Sequence, residues 1–219
     1  GYDLYLAARQ VIELESFAYD LGIRTRRNIK CLELDLLDFE SHKTFYNSIK
    51  EKPLGVILAV GYLGEQRKAR RDFGEARKII DTNFTGAVSM LNIITDDFEE
   101  RKNGFIVGIS SVAGDRGKRK NYIYGSAKSA FTSYLSGLRS NLIGANVHIL
   151  TVIPGYVYTK MTQGMVLPEK LTARPKEVAE DIYKAQQKGV NVLYTKGIWY
   201  WIMFIIRNIP ENLFKKLNI

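Results

Sequence analysis

Tyr124 and Lys128 are the residues of this chain whose types and spacing best suit proton transfer. Four positions apart on a helix they share a face, so the ammonium can lie beside the phenol. A free tyrosine titrates about three units above neutrality, and a fixed positive charge favours the phenolate and draws the group toward a useful range. The spacing alone discriminates little, because Tyr46–Lys50 and Tyr156–Lys160 share it. Tyr46, however, falls in an ordinary amphipathic surface stretch, and Tyr156 follows Pro154-Gly155 in a loop. Tyr124 precedes Gly125-Ser126-Ala127, small residues that let another molecule come close to the helix. Ser111 directly follows the apolar run Phe105–Ile109, and a hydroxyl there can meet the same crevice.

Elements that could hold these groups recur along the chain. Apolar, strand-like runs occur at Tyr5–Ala8, Ile29–Leu34, Val56–Val60, Phe105–Ile109, Val147–Val152 and Val190–Tyr194. Helical patterns alternate with them, over about 10–21, 41–49 with Ser41 as N-cap, 74–101, 122–142 and 175–188. Near-continuous apolar runs, each followed by a helix, are the pattern of a parallel sheet covered on both faces. The expectation is an α/β fold with one doubly wound, Rossmann-like sheet spanning residues 1–196, whose strand C-termini are where ligands sit. Residues 197–219 form a separate hydrophobic and basic segment.

Composition narrows the classes. The 219 residues are 46% hydrophobic and 25% charged, the balance of an ordinary globule rather than a disordered chain. A net charge of +9 suits a phosphorylated small molecule, an anionic membrane or nucleic acid. Nucleic acid is disfavoured because the aromatics lie in strand-like runs and the tail, without a basic stacking platform. Two distant histidines, His42 and His148, argue against a histidine-rich metal site, and no metal is expected. One cysteine, Cys31, excludes an internal disulfide framework and fits a reducing, cytoplasmic compartment.

The segments Gly104-Phe105-Ile106-Val107-Gly108-Ile109-Ser110-Ser111 and Tyr124-Gly125-Ser126-Ala127-Lys128 resemble the active-site segment of the short-chain dehydrogenase/reductase family. Asp81-Thr82-Asn83-Phe84-Thr85-Gly86 and Pro154-Gly155-Tyr156-Val157-Tyr158-Thr159 match two further motifs in family order. The resemblance implies a nicotinamide-dependent enzyme interconverting a ketone and a secondary alcohol, and often a homo-oligomer. It makes Tyr124 the proton donor or acceptor at the substrate oxygen, while Ser111 hydrogen-bonds that oxygen. Lys128 would hold the ribose hydroxyls and lower the phenol pKa, and Asn83 would support a water linking Lys128 to solvent. Pro154, Gly155, Val157 and Thr159 would line the nicotinamide.

Two departures qualify the match. The family's Thr-Gly-x-x-x-Gly-x-Gly turn has no counterpart, which points to a strand and loop upstream of Gly1. The family's Asn-Asn-Ala-Gly is Leu58-Ala59-Val60-Gly61 here, which loses side-chain contacts but keeps the glycine. Arg9 follows the first strand, where an NAD-preferring member carries an acid, so a 2′-phosphate and hence NADP(H) is expected; the alternative is a solvated arginine. Asp35 and Leu36 resemble the family's adenine-edge residues, although a turn role suits Asp35 nearly as well.

Substrate signals lie in two places. Asp115-Arg116-Gly117-Lys118-Arg119-Lys120 crowds four cations beside Ser111, fit either to hold a phosphate or phospholipid head group or simply to be solvated. Lys160–Leu171, with Met161, Met165, Val166 and Leu167, falls where the family carries a substrate lid. Ile198–Ile206 is nine consecutive apolar or aromatic residues containing both tryptophans, with cations around it and Glu211 as the one acid. It suits a membrane interface at the inner face of a bilayer, with a subunit interface or an internal flap as the other reading. The loop and tail together resemble decaprenylphosphoryl-2-keto-ribose reductases, which implies a lipid-linked carbonyl substrate. An NAD-linked hydroxy-lipid dehydrogenase and a non-catalytic NADP-binding scaffold are the competing functions.

Overall fold

A computed structural model describes residues 1–217, and all six apolar runs are strands in it. The chain divides into two compact units at Lys50/Glu51.

The first unit holds β1 (Leu4–Ala8), α1 (Ile12–Thr25), β2 (Ile29–Glu33) and α2 (Ser41–Ser48). β1 and β2 pair in parallel from Leu4↔Ile29 to Ala8↔Glu33, the arrangement that the α1 crossover enforces. Ser41 is not the N-cap expected of it. Glu40 before it already has helical dihedrals, and the Ser41 hydroxyl instead donates to the Asp38 carbonyl at 2.8 Å.

The second unit is built on four parallel strands in the order β3 (Gly55–Leu58), β4 (Gly104–Ile109), β5 (Val147–Pro154) and β8 (Val192–Thr195). Central β4 and β5 are almost wholly buried, which explains why their sequences are apolar at nearly every position rather than alternating. β3 pairs with β4 in parallel from Gly55↔Phe105 to Leu58↔Gly108, and parallel ladders joined by helical crossovers are the α/β, Rossmann-like architecture that the sequence predicts. α7 (Pro175–Gln187) covers one face, setting Val178, Ile182 and Ala185 against Val107, Leu150 and Val152.

The helix expected over 74–101 is broken into shorter pieces. α3 (Gln66–Ala69) and α4 (Phe73–Ile80) precede a π-helical turn at Asp81–Thr85, and α5 (Gly86–Arg101) follows it. The Asp72 carboxylate caps α4 by accepting from Gly74 N at 2.8 Å. Wide turns of this kind mark places where a side chain competes for the helical ladder. Here that side chain is Asn83, whose amide donates to the Ile79 carbonyl at 2.8 Å. α6 (Tyr122–Asn141) is the crossover between β4 and β5. Between β5 and α7 a two-residue ladder joins β6 (Tyr156–Val157) to β7 (Thr172–Ala173). After β8 come α8 (Ile198–Asn208) and α9 (Glu211–Phe214); the last two residues of the 197–219 segment lie outside the described residues.

Candidate active site

The parallel register aligns the carboxyl ends of β3, β4 and β5 side by side. They run on into Ala59-Val60-Gly61, Ser110-Ser111 and Pro154–Thr159, so three of the segments singled out in the sequence leave the ladder at one end. This is the end at which doubly wound sheets place ligands. Asn83 joins them through its side chain: Nδ2 donates to Tyr62 O at 2.6 Å and Oδ1 accepts from Tyr62 N at 3.2 Å. Asn83 is 1% exposed and holds the loop after β3 in place with both ends of its amide.

Tyr124 lies in the first turn of α6, and its phenol bonds the Ser111 side chain. Ser111 Oγ also accepts from Ala113 N at 3.1 Å, which starts the 3-10 turn Val112–Gly114. Lys128, one turn further along α6, has Nζ 5.9 Å from the Tyr124 ring centroid. It donates to the carbonyls of Ile109 (3.0 Å) and Val60 (3.4 Å), so one ammonium ties together the ends of β4 and β3. Neighbouring Ser110 supports the helix backbone, donating from Oγ to the Lys128 carbonyl at 3.0 Å. Serine, tyrosine, lysine and asparagine thus converge as expected.

Their electrostatics differ from expectation. Burial pushes the Tyr124 phenol up to about 12, with the Ser111 hydrogen bond acting weakly the other way. Burial also draws the Lys128 ammonium down to about 8. The anticipated lowering of the phenol by Lys128 is overridden, because desolvation penalises both charged forms. Ala69, Ile79 and Ala113 pack with Tyr124 in one apolar cluster and supply that desolvation. At neutral pH the phenol is therefore a neutral hydrogen-bond donor with a proton to give.

Gly61 provides a test of whether a flat ligand fits. A Cβ there would come within 3.2 Å of Met161 Cε, 3.5 Å of Asn83 Oδ1 and 3.8 Å of Lys128 Nζ, so the bare backbone leaves room beside the two polar groups that a side chain would occupy. Ala59 beside it is exposed. After β5, Pro154 is buried, Gly155 and Val157 are half-buried, and Thr159 opens a short turn in which Thr162 Oγ1 accepts from its N–H at 3.0 Å. Backbone edges, a glycine cradle and a donor ammonium suit the sugar and amide groups of a nicotinamide nucleotide. The first unit carries the other three expected residues at the carboxyl ends of its own strands: Arg9 exposed after β1, then Asp35 and Leu36 after β2. Asp35 Oδ1 accepts from Leu37 N at 3.0 Å, the turn role foreseen as its alternative, and Leu36 is buried.

Two sequence readings need correcting. The small residues after Tyr124 do not await another molecule, for it is the chain itself that approaches. A Cβ on Gly125 would lie 2.6 Å from the Ala113 carbonyl, and one on Gly114 would lie 2.7 Å from Ser129 N. This mutual contact brings the Ser111 turn against α6. Arg116 is neither solvated nor left to a phosphate. Its Nη1 donates to the carbonyls of Ile206 (2.6 Å), Arg207 (3.2 Å) and Ile209 (2.6 Å), the open end of α8. Nη2 meets Glu211 at 2.9 Å, and the guanidinium lies 3.7 Å from the Phe214 ring centroid. Asp115 beside it accepts from Tyr194 Oη at 2.9 Å. No periodicity in the sequence pointed to these partners, which lie some ninety residues away.

Comparison with known proteins agrees with this geometry. The family model described as short chain dehydrogenase matches residues 1–170. An uncharacterised oxidoreductase of Mycobacterium tuberculosis is 31% identical over 220 residues, covering 99% of this chain and 88% of that protein. A short-chain dehydrogenase from Burkholderia cenocepacia in complex with NADP superposes with a TM-score of 0.82 at 19% identity, over 98% of this chain and 86% of its own. One from Sphingobium yanoikuyae in complex with NADPH gives 0.81 at 18% identity, over 96% and 88%. At these identities the structural likeness shows a shared Rossmann-like fold.

Proposed function

This chain belongs to the short-chain dehydrogenase family, and on that premise we propose that it reduces a ketone to a secondary alcohol with NADPH. The observation that carries the reading is a buried, neutral Tyr124 phenol bonded to Ser111, with Lys128 behind it on the same helix face. Tyr124 Oη gives its proton to the carbonyl oxygen, Ser111 donates a hydrogen bond to the same oxygen, and the bond between the two side chains keeps both hydroxyls directed at one point. Lys128, titrating near 8, keeps its proton at neutral pH and would hydrogen-bond the ribose hydroxyls of the nucleotide, and Asn83 keeps the loop that carries Gly61 in register. NADPH, when bound, supplies the hydride that the carbonyl carbon accepts. Lys128, Gly61, Pro154, Gly155, Val157 and Thr159 would hold its nicotinamide end; in the first unit, Arg9 would suit a 2′-phosphate, and Asp35 and Leu36 an adenine edge. That two structural neighbours hold NADP or NADPH supports the cofactor. Met161, Met165 and Val166 are exposed on the loop facing Gly61, which supports an amphiphilic substrate.

Oxidation of NADPH in the presence of a panel of apolar ketones tests the proposal. Turnover should fall roughly 10²- to 10⁴-fold in Tyr124→Phe, the usual contribution of one positioned proton donor. A Tyr124→Phe enzyme as fast as the wild type would falsify it. Faster reaction with NADH than with NADPH would retain the site and reject the Arg9 assignment.

A further inference from the structure

α8 is apolar on every side, which in a globular protein is the property of a buried helix. Only one side is buried. Trp199 and Met203 face inward and share a cluster with Val112 and Ile153. The opposite side carries Trp201 and Ile205, each 64% exposed, and Phe204, 48% exposed. Leu213 of α9 is exposed as well. At 11 residues α8 is about 16 Å long, roughly half a hydrocarbon core, and no helix among the described residues is long and apolar enough to cross a membrane.

The charge around this face says what covers it. Arg207, Lys215 and Lys216 are exposed beside it; of the nearby acids, Glu211 is paired with Arg116, and Asp115, which lies within electrostatic reach of Arg207, is held by the Tyr194 hydroxyl. A tryptophan-bearing apolar face rimmed by exposed cations that outnumber the acids beside them complements an anionic lipid surface, where aromatic rings sit at headgroup level and cations meet phosphates. A second copy of the chain would bring the same cations against each other, and lysine is depleted at such interfaces.

The inner side of α8 forms part of the wall behind the active-site loops. Trp199 Nε1 donates to the Leu171 carbonyl at 3.0 Å at the end of the substrate loop, and the Trp199 ring packs at 5.4 Å on Tyr156. The indole fills the space where Gly155 lacks a side chain; any Cβ there would collide with it. Arg116, five residues after Ser111, clasps the carboxyl end of the same helix. One helix thus has a lipid-suited outer face and an inner face fastened to the turns after β4 and β5.

We propose that α8 and α9 lie in an anionic membrane interface and thereby set the mouth of the Ser111–Tyr124 site at the lipid surface, where an amphiphilic ketone partitions. The substrate half of this inference rests on the reductase reading; the membrane half does not. Flotation of the full chain with vesicles of phosphatidylcholine alone, or with a third of phosphatidylglycerol, separates the two. The wild type should float with the anionic vesicles, be released by high salt and remain in solution with neutral ones. A Trp201→Ser/Phe204→Ser/Ile205→Ser variant should remain in solution with both, unfold at an unchanged or higher temperature, and reduce a water-soluble ketone at the wild-type rate. Adding anionic vesicles should lower the KM of the wild type for a long-chain ketone several-fold and leave the variant unchanged. Wild type that stays in solution with anionic vesicles overturns the proposal. So does equal flotation on neutral vesicles, or a concentration-dependent dimer that the triple variant abolishes. A protein that floats yet reduces no ketone keeps the membrane face and rejects the reductase reading.

Discussion

Helices α6 and α8 follow strands of the same ladder and invert each other's chemistry. α6 buries what water would normally keep: Lys128 is 3% exposed and the Tyr124 phenol 8%. α8 leaves in water what a core would normally take, with Trp201 and Ile205 both 64% exposed. Each arrangement lowers stability relative to the ordinary pattern, α6 through desolvation of an ammonium and α8 through apolar surface left wet. The lesson of the contrast is that both helices depart from what folding alone would select, and the departures meet at the loops between them. Val112 packs on the inner side of α8, while its neighbour Ala113 packs on Tyr124 of α6.

Lys128→Met breaks the contrast on the α6 side and should have the largest effect. Turnover falls roughly 10²- to 10⁴-fold as the fixed donor is lost, while the fold gains stability. The folded pKa of about 8 lies below the ordinary 10.5, so the buried ammonium destabilises fully below about pH 8. That penalty disappears as pH rises from 8 toward 10.5. At pH 7 the gain is at most about 3 kcal/mol, reduced because the carbonyls of Ile109 and Val60 lose their donor. Thermal melts of both proteins at pH 7 and pH 10 should show the difference narrowing. A variant less stable than the wild type at pH 7 would make the lysine a net structural stabiliser.

How much of this contrast was legible beforehand follows from its physics. The Tyr124–Lys128 pair and the strand ends that carry Ser111 and Pro154–Thr159 depend on local periodicity, and they stand where the pattern placed them. The direction of the phenol shift was not legible, because it depends on Ala69, Ile79 and Ala113 meeting the ring from three separate elements. The break in the 74–101 helix depends on one side chain, Asn83, reaching back to Ile79, a choice that helical periodicity does not reveal. Gly125 signalled close approach correctly, but composition cannot say whose atoms approach. Arg116 looked like one cation among four because its carbonyl partners belong to an element with no local relation to it. The apolar outer face of α8 was visible as an unbroken run; which side of the helix stays bare was not.

Gly125→Ala attacks the junction itself and should have an intermediate effect. The new methyl meets a backbone carbonyl at 2.6 Å, which cannot swing away as a flexible side chain would. Overpacking of this kind costs about 1–3 kcal/mol. The strain falls between the Ser111 turn and the first turn of α6, so kcat should drop along with the melting temperature. Preserved kcat with a lowered melting temperature would show that the turn can shift without moving Ser111 from Tyr124.

Arg116→Lys is the smallest and most selective break, acting only on the link to α8. An ammonium can stay near Glu211 but cannot present the planar fork that reaches three carbonyls at once. The guanidinium side chain is only 14% exposed, so the lost bonds are shielded and worth about 1 kcal/mol in stability. Tyr124, Lys128 and the Gly61 cradle are untouched, and kcat on a water-soluble ketone should hold. A loosened α8 instead blurs the wall formed by Trp199 behind Gly155 and Leu171, so the KM for a long-chain ketone should rise several-fold. If kcat and KM for both ketones stay at wild-type values while the melting temperature falls, Arg116 is a helix cap alone and the two helices work independently.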